Sequence, residues 1–152
     1  MTAPVPSGLK TIDAQKALAT IRKGAKIFIG TGVGEPQHLI KTLIEKTDVE
    51  DVVLYQMLSY TLSQYIREDR FFDRFALKLF FISVPMRNAA FEGKIEYIPA
   101  YLSQIPDLFA NRTIGLDVAL AADLTEEIRS VYKVGVELGY LPEMPSDATI
   151  HG

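Results

Sequence analysis

The sequence predicts an α/β protein whose open, mostly parallel sheet is flanked by helices. Two observations carry this expectation. Short runs of β-branched and aromatic residues, among them "KIFIG", "DVVLYQML" and "FALKLFFI", alternate with stretches whose apolar residues recur at helical spacing. The first of these runs also passes through a cluster of glycines straight into a helical pattern, the strand, turn and helix from which α/β layers are built. At 152 residues and 48% hydrophobic content the chain can bury one core without disulfide or metal.

The elements follow in order. Residues 1–10 carry prolines and a glycine and read as a mobile arm. From Thr11 a helix is expected, with Ile12, Ala17, Leu18 and Ile21 at helical spacing and Gly24 placed as a C-terminal glycine. "KIFIG" (26–30) is a short buried strand, and Pro36 fits the first turn of the helix 36–46, whose Leu39, Ile40, Leu43 and Ile44 share a face. A second strand is expected at 51–58, a short helix at 61–69, a third strand at 75–82 and a fourth at 95–98, closed by Pro99. "YLSQIPDLFAN" reads as a turn with a helix broken by proline, and "TIGLDVALA" (113–121) as a fifth strand. "DLTEEIRSVYKVGVELG" then predicts a helix, with Asp123 as cap, Glu126 three residues on as in a capping box, and Gly139 at its end. An irregular tail follows from 140 to 152.

Composition excludes several classes of function. There is no cysteine, hence no disulfide framework, thiolate nucleophile or cysteine-based zinc site. The net charge is −3 with scattered basic residues, which gives no electrostatic footprint for nucleic acid. The longest apolar stretch is interrupted by Lys78 and Pro85 and falls short of a membrane span, and the first ten residues do not form a signal peptide. The expectation is a soluble, cytoplasmic protein that binds neither nucleic acid nor membrane.

The glycine stretch "KIFIGTGVGEP" is the principal motif. A dinucleotide fingerprint needs a third glycine at the sixth position counted from Gly30, where Glu35 stands; no Gly-Lys-Ser/Thr closes it as a Walker loop either. The glycines therefore either permit a tight strand-to-helix turn or expose main-chain N–H groups to an anion beside a helix N-terminus. The pattern alone leaves both open. Glu35, just before Pro36, is expected to cap the helix and meet its dipole. His38 and His151 have no partners at ligand spacing, so no metal is expected, and no Gly-x-Ser-x-Gly elbow occurs. Arg87, after the strand and turn "FFISVPM", either grips a carboxylate or phosphate or covers the surface of a turn. Tyr97, Tyr101 and Phe109 read as core or interface residues.

Three stretches, "GAKIFIGTGVGEPQHLIKTL", "LFFISVPMRNAAFEGKIEYIPAYLSQIPDLF" and "IGLDVAL", resemble the N-terminal half of the acetyl-CoA hydrolase/transferase family, which includes 4-hydroxybutyrate and acetate CoA-transferases. The likeness spans about residues 14–120, and the second stretch, with its arginine, glycine, Tyr-Ile-Pro and Ile-Pro in order, is the most specific. The resemblance implies a CoA-transferase-like fold with acyl-CoA bound between two α/β domains. It also implies a glutamate that attacks the acyl thioester, passing through an anhydride to a glutamyl-CoA thioester. By the same likeness Gly30, Gly32, Gly34 and Pro36 line the acyl/CoA cleft; Arg87 is assigned with them to substrate or CoA binding, a structural role remaining open; acyl-CoA and a small carboxylate are the partners, with coenzyme A as substrate and no tightly bound cofactor.

The domain is expected at 11–122, with 123–152 departing from the family pattern. No residue matches the motif of the catalytic glutamate, so no catalytic residue is assigned and the chain is expected to be inactive without a second domain. Uncovered apolar surface would favour a homodimer. The alternative is a non-catalytic α/β module that binds CoA or only dimerises, and a third reading is a phosphate-binding domain unrelated to CoA.

Overall fold

The computed structural model describes residues 12–122; the expected arm, the expected helix from Asp123 and the tail lie outside them. The sheet has five strands: β1 (Lys26–Ile29), β2 (Val52–Gln56), β3 (Phe75–Leu79), β4 (Ile95–Tyr97) and β5 (Val118–Leu120). Their spatial order is β4-β3-β2-β1-β5, and every pairing is parallel. Parallel neighbours cannot be joined by a hairpin, and the intervening chain supplies helices instead. These are α1 (Ala14–Leu18), α2 (Gln37–Glu45), α3 (Asp69–Phe72), α4 (Arg87–Phe91) and α5 (Ile105–Ala110).

Register explains the core. Ile27, Leu54, Leu77 and Ile95 stand side by side across β1 to β4, and each is buried. Leu18, from α1, and Ile40 and Leu43, from α2, belong to the same buried cluster. The opposite face carries Phe28 and Tyr55, against which Phe109 of α5 packs edge-on, with centroids at 5.3 and 6.3 Å. Lys78 and Glu96, paired by register on that face, form an ion pair at 2.7 Å.

Several expected elements are altered. The first helix ends at Leu18, and Gly24 does not close it: with φ of +78° it turns the chain into β1. The expected helix 61–69 resolves into a short 3-10 turn, Thr61–Gln64, and the separate α3. β3 ends at Leu79, opposite Gln56 at the end of β2, although Phe80 N and Phe81 N still donate to Gln56 O and Met57 O at 3.2 and 2.8 Å. β5 is three residues long because it pairs only with Ile27–Ile29 of β1. Just before it, Asp117 bonds Lys26 twice: its N–H donates to Lys26 O at 2.9 Å, and its carboxylate accepts from Lys26 N at 2.8 Å. Pro106 lies in the first turn of α5 and starts that helix rather than breaking it. α4 forms where the sequence pattern predicts no element.

Candidate functional site

The strand order reverses at β1. From β1 the chain steps outward through β2, β3 and β4, and only β5 returns to the other side. Open α/β sheets bind ligands outside the carboxyl ends of strands at such a reversal. The glycine turn occupies this position. Gly30 follows β1 directly, its N–H donating to Leu120 O of β5 at 2.7 Å, while Ala122 N donates to Gly34 O at 2.9 Å. The turn is thus folded down onto the end of β5, with Gly32–Gly34 forming a short 3-10 turn.

Each predicted glycine meets a different constraint. A Cβ on Gly30 would overlap the Gly34 carbonyl oxygen and come within 3.3 Å of the Ala121 Cα. Gly32 has φ of +60°, the left-handed region that L side chains avoid, with open space around it. A Cβ on Gly34 would meet nothing within 4 Å, and its φ is not in that region. Gly32→Val is therefore expected to destabilise by about 1–2 kcal/mol, a Tm fall of roughly 2–8 °C. Gly34→Ala is expected to leave Tm within about 2 °C; a CoA titration of this variant then reports on ligand approach alone. An equal loss of Tm and affinity would remove the functional role of Gly34.

Pro36 stands at the cap position of α2, one residue earlier than expected; its carbonyl accepts the first helical bond, from Ile40 N at 3.0 Å. Glu35 does not cap the helix. Its carboxylate turns away, toward the end of β2, where Oε1 accepts from Gln56 Nε2 at 3.0 Å and from Thr61 N at 3.2 Å. Both Glu35 and Gln56 are buried. Gln56 Nε2 also donates to Gly30 O at 2.9 Å, which ties the start of the turn to its end.

Further side chains join this seam. Leu58 N donates to Thr31 Oγ1 at 3.2 Å, and the Thr31 hydroxyl donates back to Leu58 O. Ser83 Oγ donates to Ser59 O at 2.8 Å. Side chains thus join the loop after β1 to the loop after β2, and the loop after β2 is joined to that after β3 by Ser83 and by the Phe81 N–H, which donates to Met57 O at 2.8 Å. Gln56 carried a legible signal, since alternation places it with Val52 and Leu54 on the inward face, where a polar residue calls for a partner.

Arg87 opens α4, in the segment that follows β3, on the same carboxyl-end edge as the turn but with β2 intervening in the sheet. Its side chain is exposed and makes no hydrogen bond or ion pair with another described residue. Tyr97 and Tyr101 are exposed rather than core; Phe109 is half-buried. Tyr60, Phe81, Val84 and Leu102 are also exposed apolar residues, each in a segment that follows a strand. Among the described residues no three His, Cys, Asp or Glu side chains gather to hold a metal, and no helix is long and apolar enough to cross a membrane.

An open parallel sheet with a glycine turn at its point of reversal defines the class: an α/β domain of the doubly wound kind, in which the strand ends at the reversal are the usual place for a ligand. The Acetyl-CoA hydrolase/transferase N-terminal domain family matches residues 8–146, and the chain belongs to that family. The match runs past residue 122 into the segment that the sequence analysis sets apart. The chain is 28% identical over 114 residues to the 4-hydroxybutyrate coenzyme A transferase of Clostridium kluyveri, covering 73% of this chain and 26% of that protein. It is 33% identical over 111 residues to the succinyl-CoA:acetate/propanoyl-CoA:succinate CoA transferase of Fasciola hepatica, covering 71% and 23%. The chain thus spans about a quarter of the length of these relatives. The crystal structure of RipA from Yersinia pestis has the same fold, with TM-score 0.59 and 22% identity over 70% of this chain and 27% of that one.

Proposed function

We propose that the chain is the N-terminal part of a CoA-transferase or acyl-CoA hydrolase acting on a short-chain acyl-CoA and a small carboxylate. It works in the cytoplasm as a homodimer, with coenzyme A entering as substrate and no tightly held cofactor. The observation that carries this reading is the glycine turn seated at the β1–β5 reversal in a chain of this family. Gly30, Gly32, Gly34 and Pro36 form the wall of the acyl cleft, and Arg87, exposed on the same edge, receives the carboxylate or a CoA phosphate.

The nucleophilic glutamate comes from outside these 152 residues, none of which matches its motif. Alone, the chain is inactive. One observation favours the second reading, a non-catalytic module that binds CoA or only dimerises: Tyr60, Val84, Tyr101 and Leu102 are large apolar side chains left exposed. Exchange of labelled acetate into acetyl-CoA by the purified chain, its fold verified by circular dichroism, separates the cases. No exchange is expected, alongside measurable CoA binding by titration calorimetry. Exchange above blank would place a nucleophile within the chain; absence of CoA binding by a folded chain would sink the pocket itself.

A further inference from the structure

Glu35 is an unusual residue to close a glycine turn, because it is only 8% exposed. Burying a carboxylate is unfavourable unless hydrogen bonds replace its hydration. Two neutral donors, Gln56 Nε2 and Thr61 N, supply that replacement at Oε1. The amide orientation of Gln56 is fixed by its surroundings: turned over, its oxygen would face two acceptors, Gly30 O and Glu35 Oε1. The carboxylate thus sits where three pieces of backbone converge: Gly30 at the start of the turn, Glu35 at its end, and Thr61 at the first residue of the 3-10 turn after β2.

These bonds join segments that the sheet ladder does not join. β1 and β2 pair only as far as Ile29 and Gln56, so beyond those residues the relative position of the two loops depends on side chains. Thr31 and Leu58 make one link, the Glu35–Gln56 pair the other. A glycine-rich turn has little steric preference of its own, and its alignment must come from such external bonds. A carboxylate oxygen, with two lone pairs, accepts both donors at once, which an aliphatic side chain of similar size cannot do.

We propose that Glu35 is a positioning residue that locks the glycine turn to the loop 57–61, so that both loops present one rigid wall to the ligand. Only the ligand arm of the test rests on the acyl-CoA reading. Hydrogen–deuterium exchange on the full chain is compared among wild type, Glu35→Ala, Glu35→Gln and Gln56→Leu, the last filling the same space without a donor. Glu35→Ala and Gln56→Leu are each expected to speed exchange in peptides covering 30–35 and 57–62 together, by about tenfold or more, with the strand amides unchanged. Glu35→Gln keeps an oxygen acceptor and is expected to restore protection to within about threefold. In parallel, CoA affinity should fall about tenfold in Glu35→Ala and recover in Glu35→Gln, which a general loss of stability would not produce. Loosening of one loop without the other in both variants, or loosening spread evenly over the strands, would overturn the proposal. A wild-type chain that binds no CoA would remove the functional reading and leave the exchange pattern to decide this one.

Discussion

Gly30→Ala is expected to lower the unfolding free energy by about 3 kcal/mol, the upper part of the range for forced overpacking. The added methyl has nowhere to go. It would overlap the Gly34 carbonyl oxygen and approach the Gly34 carbonyl carbon at 3.1 Å and the Ala121 Cα at 3.3 Å. All three are main-chain atoms, so no rotamer change relieves the clash. The backbone around them is also committed, since Gly30 N–H is bonded to Leu120 O and Gly34 O receives Ala122 N. Admitting the methyl means lifting the turn off β5 and breaking at least one of those bonds. For a chain of this size a loss of that order lowers Tm by roughly 6–12 °C. Thermal unfolding of Gly30→Ala beside Gly34→Ala checks the argument, because the second variant adds the same methyl into open space. Equal melting temperatures would mean that the turn does not rest on β5.

That contrast shows where sequence reasoning stops. The motif identified the turn, and the strands around it were legible because "KIFI", "VVLYQ" and "FALKL" lie within runs rich in β-forming residues. Their lengths were less legible: Phe80 to Ile82 look strand-like and follow β3, but only Phe80 N and Phe81 N go on bonding to Gln56 O and Met57 O, without a regular ladder. α4 escaped for a different reason. It has five residues, follows the 3-10 turn Val84–Met86 without a break, and is too short to show a helical period.

The site was half visible. Gly30, Gly32, Gly34 and Pro36 fall on alternate positions within seven residues, so they had to share one turn. The partners of Glu35 are 21 and 26 residues away in sequence and meet it only through the β1–β2 register. Local reasoning assigned Glu35 to the nearest helix N-terminus, a reasonable default for a carboxylate in that position. Tertiary contacts prevailed because the glycines let the chain turn the carboxylate inward, where Gln56 at the end of an otherwise apolar strand needed an acceptor. An inward-facing glutamine on a buried strand is the feature to search for when local sequence offers no partner.

Arg74→Ala is expected to destabilise the fold by about 3 kcal/mol while leaving the strand-end site intact. The guanidinium reaches three carbonyls from one position: Nε donates to Val49 O at 3.0 Å, Nη1 to Ile44 O at 3.0 Å, and Nη2 to Lys46 O. Ile44 lies in the last turn of α2 and Lys46 caps it, so the cation also meets the negative end of the helix dipole. Its face lies 4.9 Å over the Phe75 ring, at the start of β3. A single side chain therefore fixes the α2–β2 connection to the entry of β3. Arginine hydrogen bonds to carbonyls contribute roughly 1.5–3 kcal/mol each, and water can replace part of this at a half-buried site, which keeps the expected total near the value for one or two bonds. Lysine should not rescue the loss, since an ammonium lacks the planar fork that addresses three acceptors at once. Chemical denaturation of Arg74→Ala and Arg74→Lys measures the effect, and a loss below about 0.5 kcal/mol, the range of ordinary surface substitutions, would show that the three bonds are not held in solution. Arg74 precedes β3, at the amino-terminal edge of the sheet, whereas the glycine turn lies at the carboxyl-terminal edge. CoA affinity of the folded Arg74→Ala protein should therefore equal that of wild type, the converse of Gly34→Ala, in which affinity moves and stability does not.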